Sequence, residues 1–189
     1  MAQKTYAEMS KGYPPSKIVL DAIKFSTSKG RALDLGAGSL RNTPALLDAG
    51  FEVDAVDRDP LMQEAAAELG HPKLHTFLTT FLDFEYPVTA YDFILAKNTL
   101  PFESPSDFPA LWKKILSALA PGGIFCGTFF GPNDTWSNRP HMNFLSRSEV
   151  EKYLAPLEKI AFTEIEEDRE DIQGNMKHWH VFEAIARKH

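Results

Sequence analysis

Arg31-Ala32-Leu33-Asp34-Leu35-Gly36-Ala37-Gly38-Ser39-Leu40-Arg41-Asn42-Thr43, followed by Val53-Asp54-Ala55-Val56-Asp57, decides the reading of this chain. An apolar strand ends in an acid, a glycine-rich turn opens a short helix, and a second strand closes on another acid. That succession is how an open α/β sheet receives a nucleoside-bearing ligand at the carboxyl ends of its strands.

Working outward, Ser16 to Phe25 spaces Ile18, Val19, Ala22, Ile23 and Phe25 as an opening helix, with Ser16 as its cap. Arg31–Leu35 and Glu52–Asp57 read as strands. Thr43 to Ala49 between them reads as a helix ended by Gly50, and Leu61 to Leu69 as a helix closed by Gly70. Leu74–Leu78 and Tyr91–Ala96 carry the apolar runs of strands buried on two faces. The dozen residues joining them are too few for an ample crossover helix, so one element is reduced there. Phe108 to Leu119 carries an amphipathic stripe, Pro121-Gly122-Gly123 reads as a turn, and Ile124–Phe130 as a fifth strand. A long polar loop, Gly131 to Asn143, is a candidate functional loop. Ser146 and Glu149 form a capping-box pattern. Ile160–Ile165 and Trp179–Ala186 have no helix between them and pair as an antiparallel hairpin across Glu166–Lys177.

With 189 residues the chain is expected to form a single domain, 1–189. A net charge of −6, reinforced by the acidic run Glu164-Ile165-Glu166-Glu167-Asp168, which reads as a solvated strand end and turn, argues against a nucleic-acid partner. The single cysteine, Cys126, lies in an apolar run and reads as a buried structural thiol. Met1 to Lys11 lacks the apolar core of a signal, and no window reaches spanning length, so the expectation is a cytoplasmic protein without a membrane partner.

The glycine turn separates two ligands. The dinucleotide pattern G-x-G-x-x-G needs a third glycine where this chain has Arg41, which makes an NAD-linked oxidoreductase the weaker reading. The pattern (D/E)-x-G-x-G is met by Asp34-Leu35-Gly36-Ala37-Gly38, with Asp57 ending the next strand. Here the chain resembles the class I S-adenosylmethionine-dependent methyltransferases, through the segments above together with Tyr91-Asp92-Phe93-Ile94, Leu119-Ala120-Pro121-Gly122-Gly123 and the final hairpin. Gly36-Ala37-Gly38-Ser39-Leu40-Arg41-Asn42-Thr43 is similar to the turn of the small tellurite-resistance-type members.

The resemblance implies a Rossmann-like α/β fold: a seven-stranded, mostly parallel sheet with helices on both faces and an antiparallel C-terminal hairpin. It also implies S-adenosylmethionine as cofactor. Gly36, Ala37 and Gly38 would let the backbone approach the cofactor where a Cβ would collide, with Arg41 in the same turn. Asp57 would accept the ribose hydroxyls, Arg58 would lie along the adenine, and Asp34 would order the turn or meet the ammonium group. Thr80 and Phe81 stand where the family contacts adenine. Thr80 replaces the usual acid, and Leu40 stands where a third glycine is frequent. Ala96 and Lys97 end the fourth strand beside the cofactor.

The acceptor is expected beyond the fourth and fifth strands, as a small molecule, with anions, thiols and other chalcogen nucleophiles in view and with the protein a monomer or homodimer. In-line methyl transfer chiefly needs positioning, and a general base only for poor nucleophiles. Four residues are candidates there. Trp136 reads as a lid over the acceptor or a plug for its loop, and Asp134 as a general base or an Asx-turn residue. His178 and His180 face one side of the last strand and read as structural or substrate-lining, with no metal expected. Arg139 and His141 offer charge to an anionic acceptor or to solvent. The remaining alternative is a protein that binds the nucleoside without catalysis.

Overall fold

The computed structural model describes residues 6–189; the first five residues of the polar N-terminus read above lie outside it. Seven strands form one sheet in the order β3-β2-β1-β4-β5-β7-β6. They are β1 Arg31–Leu35, β2 Glu52–Asp57, β3 Leu74–Leu78, β4 Tyr91–Ala96, β5 Leu119–Phe130, β6 Leu157–Glu170 and β7 Met176–Lys188. The first five are parallel, and β7 runs antiparallel to both β5 and β6. The helices are α1 Tyr6–Ser10, α2 Lys17–Ile23, α3 Thr43–Asp48, α4 Leu61–Leu69, α5 Phe108–Ala118 and α6 Arg147–Leu154.

The two sheet faces bury separate cores. One joins Leu33, Ile94, Phe125 and Phe182 to α5 and α6 through Trp112, Ile115 and Leu154. The other joins Ala32, Phe93, Cys126 and Ile185 to α2 and α3 through Val19, Ala22 and Leu46. Cys126 is fully buried, and burial pushes its thiol up to about 12, as befits an inert side chain. The switch in strand order falls between β1 and β4, so the loops after these strands part to opposite sides and leave a crevice at their carboxyl ends.

Three expectations change in detail. Strand β3 is the sheet's edge and is not buried on two faces: Phe77 is 38% and Leu78 46% exposed. No helix lies between β3 and β4, and no strand pairs beyond β3. Pro121-Gly122-Gly123 does not precede β5 but forms a bulge within it, because the partner register jumps from Tyr91↔Leu119 to Phe93↔Ile124. The final hairpin is much longer than its apolar centre: its strands pair from Leu157↔Lys188 to Glu170↔Met176, and the turn shrinks to five residues, 171–175. Most of the acidic run is therefore paired strand, where cross-strand histidines and Arg147 partner the acids. An additional helix, α1, stands ahead of the expected opening helix. The capping box at Ser146 and Glu149 is formed as read.

Candidate functional site

The crevice is built first from backbone geometry. After β1 the chain turns through Gly36 at φ +74° and Gly38 at φ +51°, conformations that glycine adopts without a steric penalty. Leu40 follows at φ +60°, so the position where a third glycine is frequent keeps the left-handed conformation without the glycine. Its side chain is buried with Ala37, Ala55 and Met62, and that burial offsets the strain. Gly36 is required by the protein itself: a Cβ there would strike the hydroxyl of buried Thr99 from the β4 loop. Thr99 Oγ1 donates to the Leu35 carbonyl at 2.7 Å, which ties the end of β1 to the segment after β4.

Two carboxylates end the paired strands. Asp57 accepts the Gly38 N–H at 2.8 Å and the Asp59 N–H at 2.9 Å, one on each oxygen, and each oxygen keeps a lone pair for a further donor. Asp34 is buried and accepts the Thr43 hydroxyl at 2.7 Å. Burial holds its carboxyl up to about 7, with the Thr43 bond opposing and the Asp57 charge assisting. Among the described residues neither carboxylate has a salt bridge to a cation. Asp34, with its carboxyl held up to about 7, is largely neutral below that pH, so the negative potential at this end of the crevice comes from Asp57; it suits a cationic ligand and opposes a pyrophosphate.

A family model described as a methyltransferase domain matches residues 32–123, which span β1 through the bulge in β5. No curated protein matches the chain at a significant level. Among solved structures, TehB from Haemophilus influenzae superposes with a TM-score of 0.75 at 22% identity, covering 90% of this chain and 61% of that one. The chain thus spans about three fifths of the length of TehB. The 1,6-didemethyltoxoflavin-N1-methyltransferase of Burkholderia thailandensis, solved with its acceptor and S-adenosylhomocysteine, gives 0.68 at 19% identity over 91% of this chain and 78% of that one. The [4+2]-cyclase SpnF gives 0.69 at 14% identity, with 91% and 80% covered. At these identities the likeness is one of fold.

Around the crevice, the remaining candidate residues take definite places. Arg41 does not point into the turn's interior: its Nε donates to the Pro14 carbonyl at 2.8 Å and its guanidinium lies over the Tyr13 ring, so it pins the segment before α2. Ser10 and Ser39 hydroxyls meet at 3.0 Å, a second tie between that N-terminal segment and the turn. Arg58 is exposed beside Asp57, and Phe81 is half-buried. The Thr80 hydroxyl is engaged locally, donating to Asp83 at 2.7 Å and accepting the Asp83 N–H at 3.2 Å. Ala96 is buried, and Lys97 pairs with Glu183 of β7 at 2.8 Å. Next to it, Asn98 is a non-glycine residue at φ +54°, held by its N–H to the Thr128 hydroxyl at 2.7 Å.

In the loop after β5, Asp134 forms an ion pair with Lys177 of β7, their side chains 0% and 2% exposed. Asp134 also accepts the Trp136 N–H at 2.9 Å and the His180 N–H at 3.3 Å, which is the Asx-turn arrangement reinforced by a cation. The Lys177 ammonium sits 3.8 Å from the Trp179 ring centre, 4.5 Å from Trp136 and 5.4 Å from Phe130, and its burial lowers its pKa. Trp136 is half-buried in this cluster, with Phe102 of the β4 loop at 6.5 Å and the Arg139 guanidinium 4.4 Å from its ring. His141 is exposed.

His178 and His180 do share one side of β7 but meet different acids. His178 donates through its two ring nitrogens to Asp168 at 2.8 Å and Glu166 at 3.2 Å, and these partners, Asp168 foremost, raise its pKa. His180 is buried, with Nε2 3.0 Å from Glu164 and Nδ1 accepting the Asn133 N–H at 3.2 Å. Glu164, Glu166 and His180 bring ligand atoms within 4.8 Å of one another. A metal on Nε2 would want Nδ1 as a donor, whereas Nδ1 here accepts, so this cluster is a hydrogen-bonded ladder.

Sequence reasoning missed Lys177, Thr99, Thr128 and Glu183. For Lys177 and Glu183 a signal existed: strand alternation puts Lys177, Trp179, Val181, Glu183 and Ile185 on one face. The roles of Thr99 and Thr128 depend on pairings between strands far apart in sequence. Among the described residues no helix is long and apolar enough to cross a membrane.

Proposed function

We propose that the chain is an S-adenosylmethionine-dependent methyltransferase acting on a small-molecule acceptor, and that residues 1–189 work as one domain. The observation that carries this reading is Asp57 at the end of β2, without a cationic partner among the described residues, beside a left-handed glycine turn that buried Asp34 of the adjacent strand braces through Thr43. A ligand with a cationic sulfonium, an ammonium group and a ribose diol matches that charge and those acceptors; a dinucleotide's pyrophosphate does not. One continuous sheet from β1 to β7 supports the single domain.

Bound there, S-adenosylmethionine would supply an electrophilic methyl group. Asp57 accepts the ribose hydroxyls on its remaining lone pairs. Asp34, enclosed and bonded to Thr43, fixes the turn from beneath. Arg58 and Phe81 flank the adenine. Thr99 holds the β4 loop against the glycine turn, so the donor and acceptor halves keep a fixed separation, which is the main requirement of an in-line displacement. Asp134 anchors the acceptor loop through bonds that occupy both its oxygens, and Trp136 walls the chamber.

The test is transfer of a labelled methyl group to a panel of thiols, hydroxy acids, carboxylates and amines. The expected result is label in at least one acceptor, with stoichiometric S-adenosylhomocysteine. Tight binding of S-adenosylhomocysteine with no transfer to any acceptor would favour a non-catalytic binder, a reading made concrete by the [4+2]-cyclase that shares this fold.

A further inference from the structure

The alternation along β7 divides the sheet's two faces unequally. Phe182, Ala184 and Ala186 pack with the core that α6 covers, whereas Glu183 and Ile185 face the side of α2. On that second side α2 packs against Ile185, with Ile160 beside it. What remains is a groove of about 530 Å³ between α2 and the hairpin, within the size range of small-molecule sites. Its floor is apolar, from Ile18, Phe25, Ala161 and Ile185.

The groove is also lined by charged side chains. Lys17 and Lys24 share a single acid, Asp21, at 2.5 and 2.7 Å, leaving one positive charge in excess on α2. Glu183, whose charge also reaches Lys17, is bonded to Lys97, the residue that immediately follows β4. Glu183 stands opposite Thr128 in the β5–β7 register, and Thr128 holds the Asn98 turn at the mouth of the crevice. The groove therefore ends one side chain away from the segment that walls the crevice.

We propose that this groove holds the body of the methyl acceptor, and that the acceptor is an acid with an apolar body. Its acidic group lies toward Lys17 and Lys24 and its reacting end toward Glu183 and Lys97. The inference rests on the methyltransferase reading for the word acceptor; the groove's preference for an apolar acid stands on its own lining.

Ala161 and Thr163 are exposed positions on β6 that line the groove, so a large side chain there fills it without entering a core. Titration with 1-anilinonaphthalene-8-sulfonate, an apolar anion, reads occupancy by fluorescence in the wild-type chain, Ala161→Trp and Thr163→Trp. The expected result is saturable binding weakened at least tenfold in both variants, with decanoate displacing the probe at least tenfold better than decylamine. Calorimetry with S-adenosylhomocysteine is expected to give the same affinity, within twofold, in all three proteins. Unchanged probe affinity in both variants, or equal displacement by acid and amine, overturns the proposal. Absence of S-adenosylhomocysteine binding by the wild type overturns the methyltransferase reading instead, and leaves the probe result standing as a ligand groove.

Discussion

The two ends of the crevice are held together in opposite ways. The donor end is made of neighbours in sequence: Gly36, Gly38 and Leu40 turn the backbone within five residues, and Asp57 closes on Gly38 from the adjacent strand. The acceptor end is made of distant groups, with Asp134 and Lys177 meeting across 43 positions inside a ring of Phe130, Trp136 and Trp179. A turn set by φ angles writes its requirement into local residue types. A loop set by a buried charge pair depends on the whole fold being in place, and losing one partner leaves the other charge stranded.

That contrast is broken most strongly at Asp134. Asp134→Ala is expected to cost roughly 3–5 kcal/mol in urea unfolding, because it strands the enclosed Lys177 ammonium. Asp134→Ala,Lys177→Met removes both charges and is expected to recover most of the loss. A single variant costing under 1 kcal/mol would show that the pair does not anchor the loop.

The same contrast explains what was legible. The glycine turn, its flanking acids, the reduced β3–β4 connection and the unlinked final hairpin are all visible, since each rests on local composition or on connection length. Strand alternation puts Lys177 on the same face of β7 as Trp179 and Val181, but its pairing with Asp134 is not visible, because that partner is set by how residues 135–138 fold back on β7. The extent of the hairpin was missed for a related reason: Glu166 and Asp168 look like turn residues until His178 is seen opposite them. Arg41 had the right position and an unforeseen partner, since the Pro14 carbonyl is offered by a segment whose path the sequence does not specify.

The donor end is sharpened by pH. Asp34 has a folded-state value of about 7 against an ordinary value of 3.8, so its neutral form is favoured by folding. The sign follows: its contribution is complete below about pH 4 and is lost as pH rises through 7, because the unfolded chain releases the proton first. Between pH 5 and 8 the wild type is expected to lose roughly 2–3 kcal/mol relative to Asp34→Asn, which keeps an acceptor for the Thr43 hydroxyl and has no charge to bury. Parallel stability curves for the two proteins across that range would contradict the buried, protonated Asp34.

The smallest effect is expected on the outer hairpin, where the ladder is exposed. Arg147 bonds Glu164 at 2.7 Å with half of its own side chain in solvent. Arg147→Ala is expected to change stability by under about 1 kcal/mol by thermal or urea unfolding, as for other surface pairs. A loss comparable to that of Asp134→Ala would place the anchor of the acceptor end in the ladder and not in the enclosed pair.

That the donor end holds a nucleoside through Asp57, and not a dinucleotide, is tested most directly by calorimetric titration of the wild type and Asp57→Ala with S-adenosylhomocysteine and with NAD. The account predicts one S-adenosylhomocysteine site per chain, weakened by about 1–3 kcal/mol in Asp57→Ala through loss of charge-assisted hydrogen bonds, and no NAD binding. Binding of NAD without binding of S-adenosylhomocysteine would contradict it.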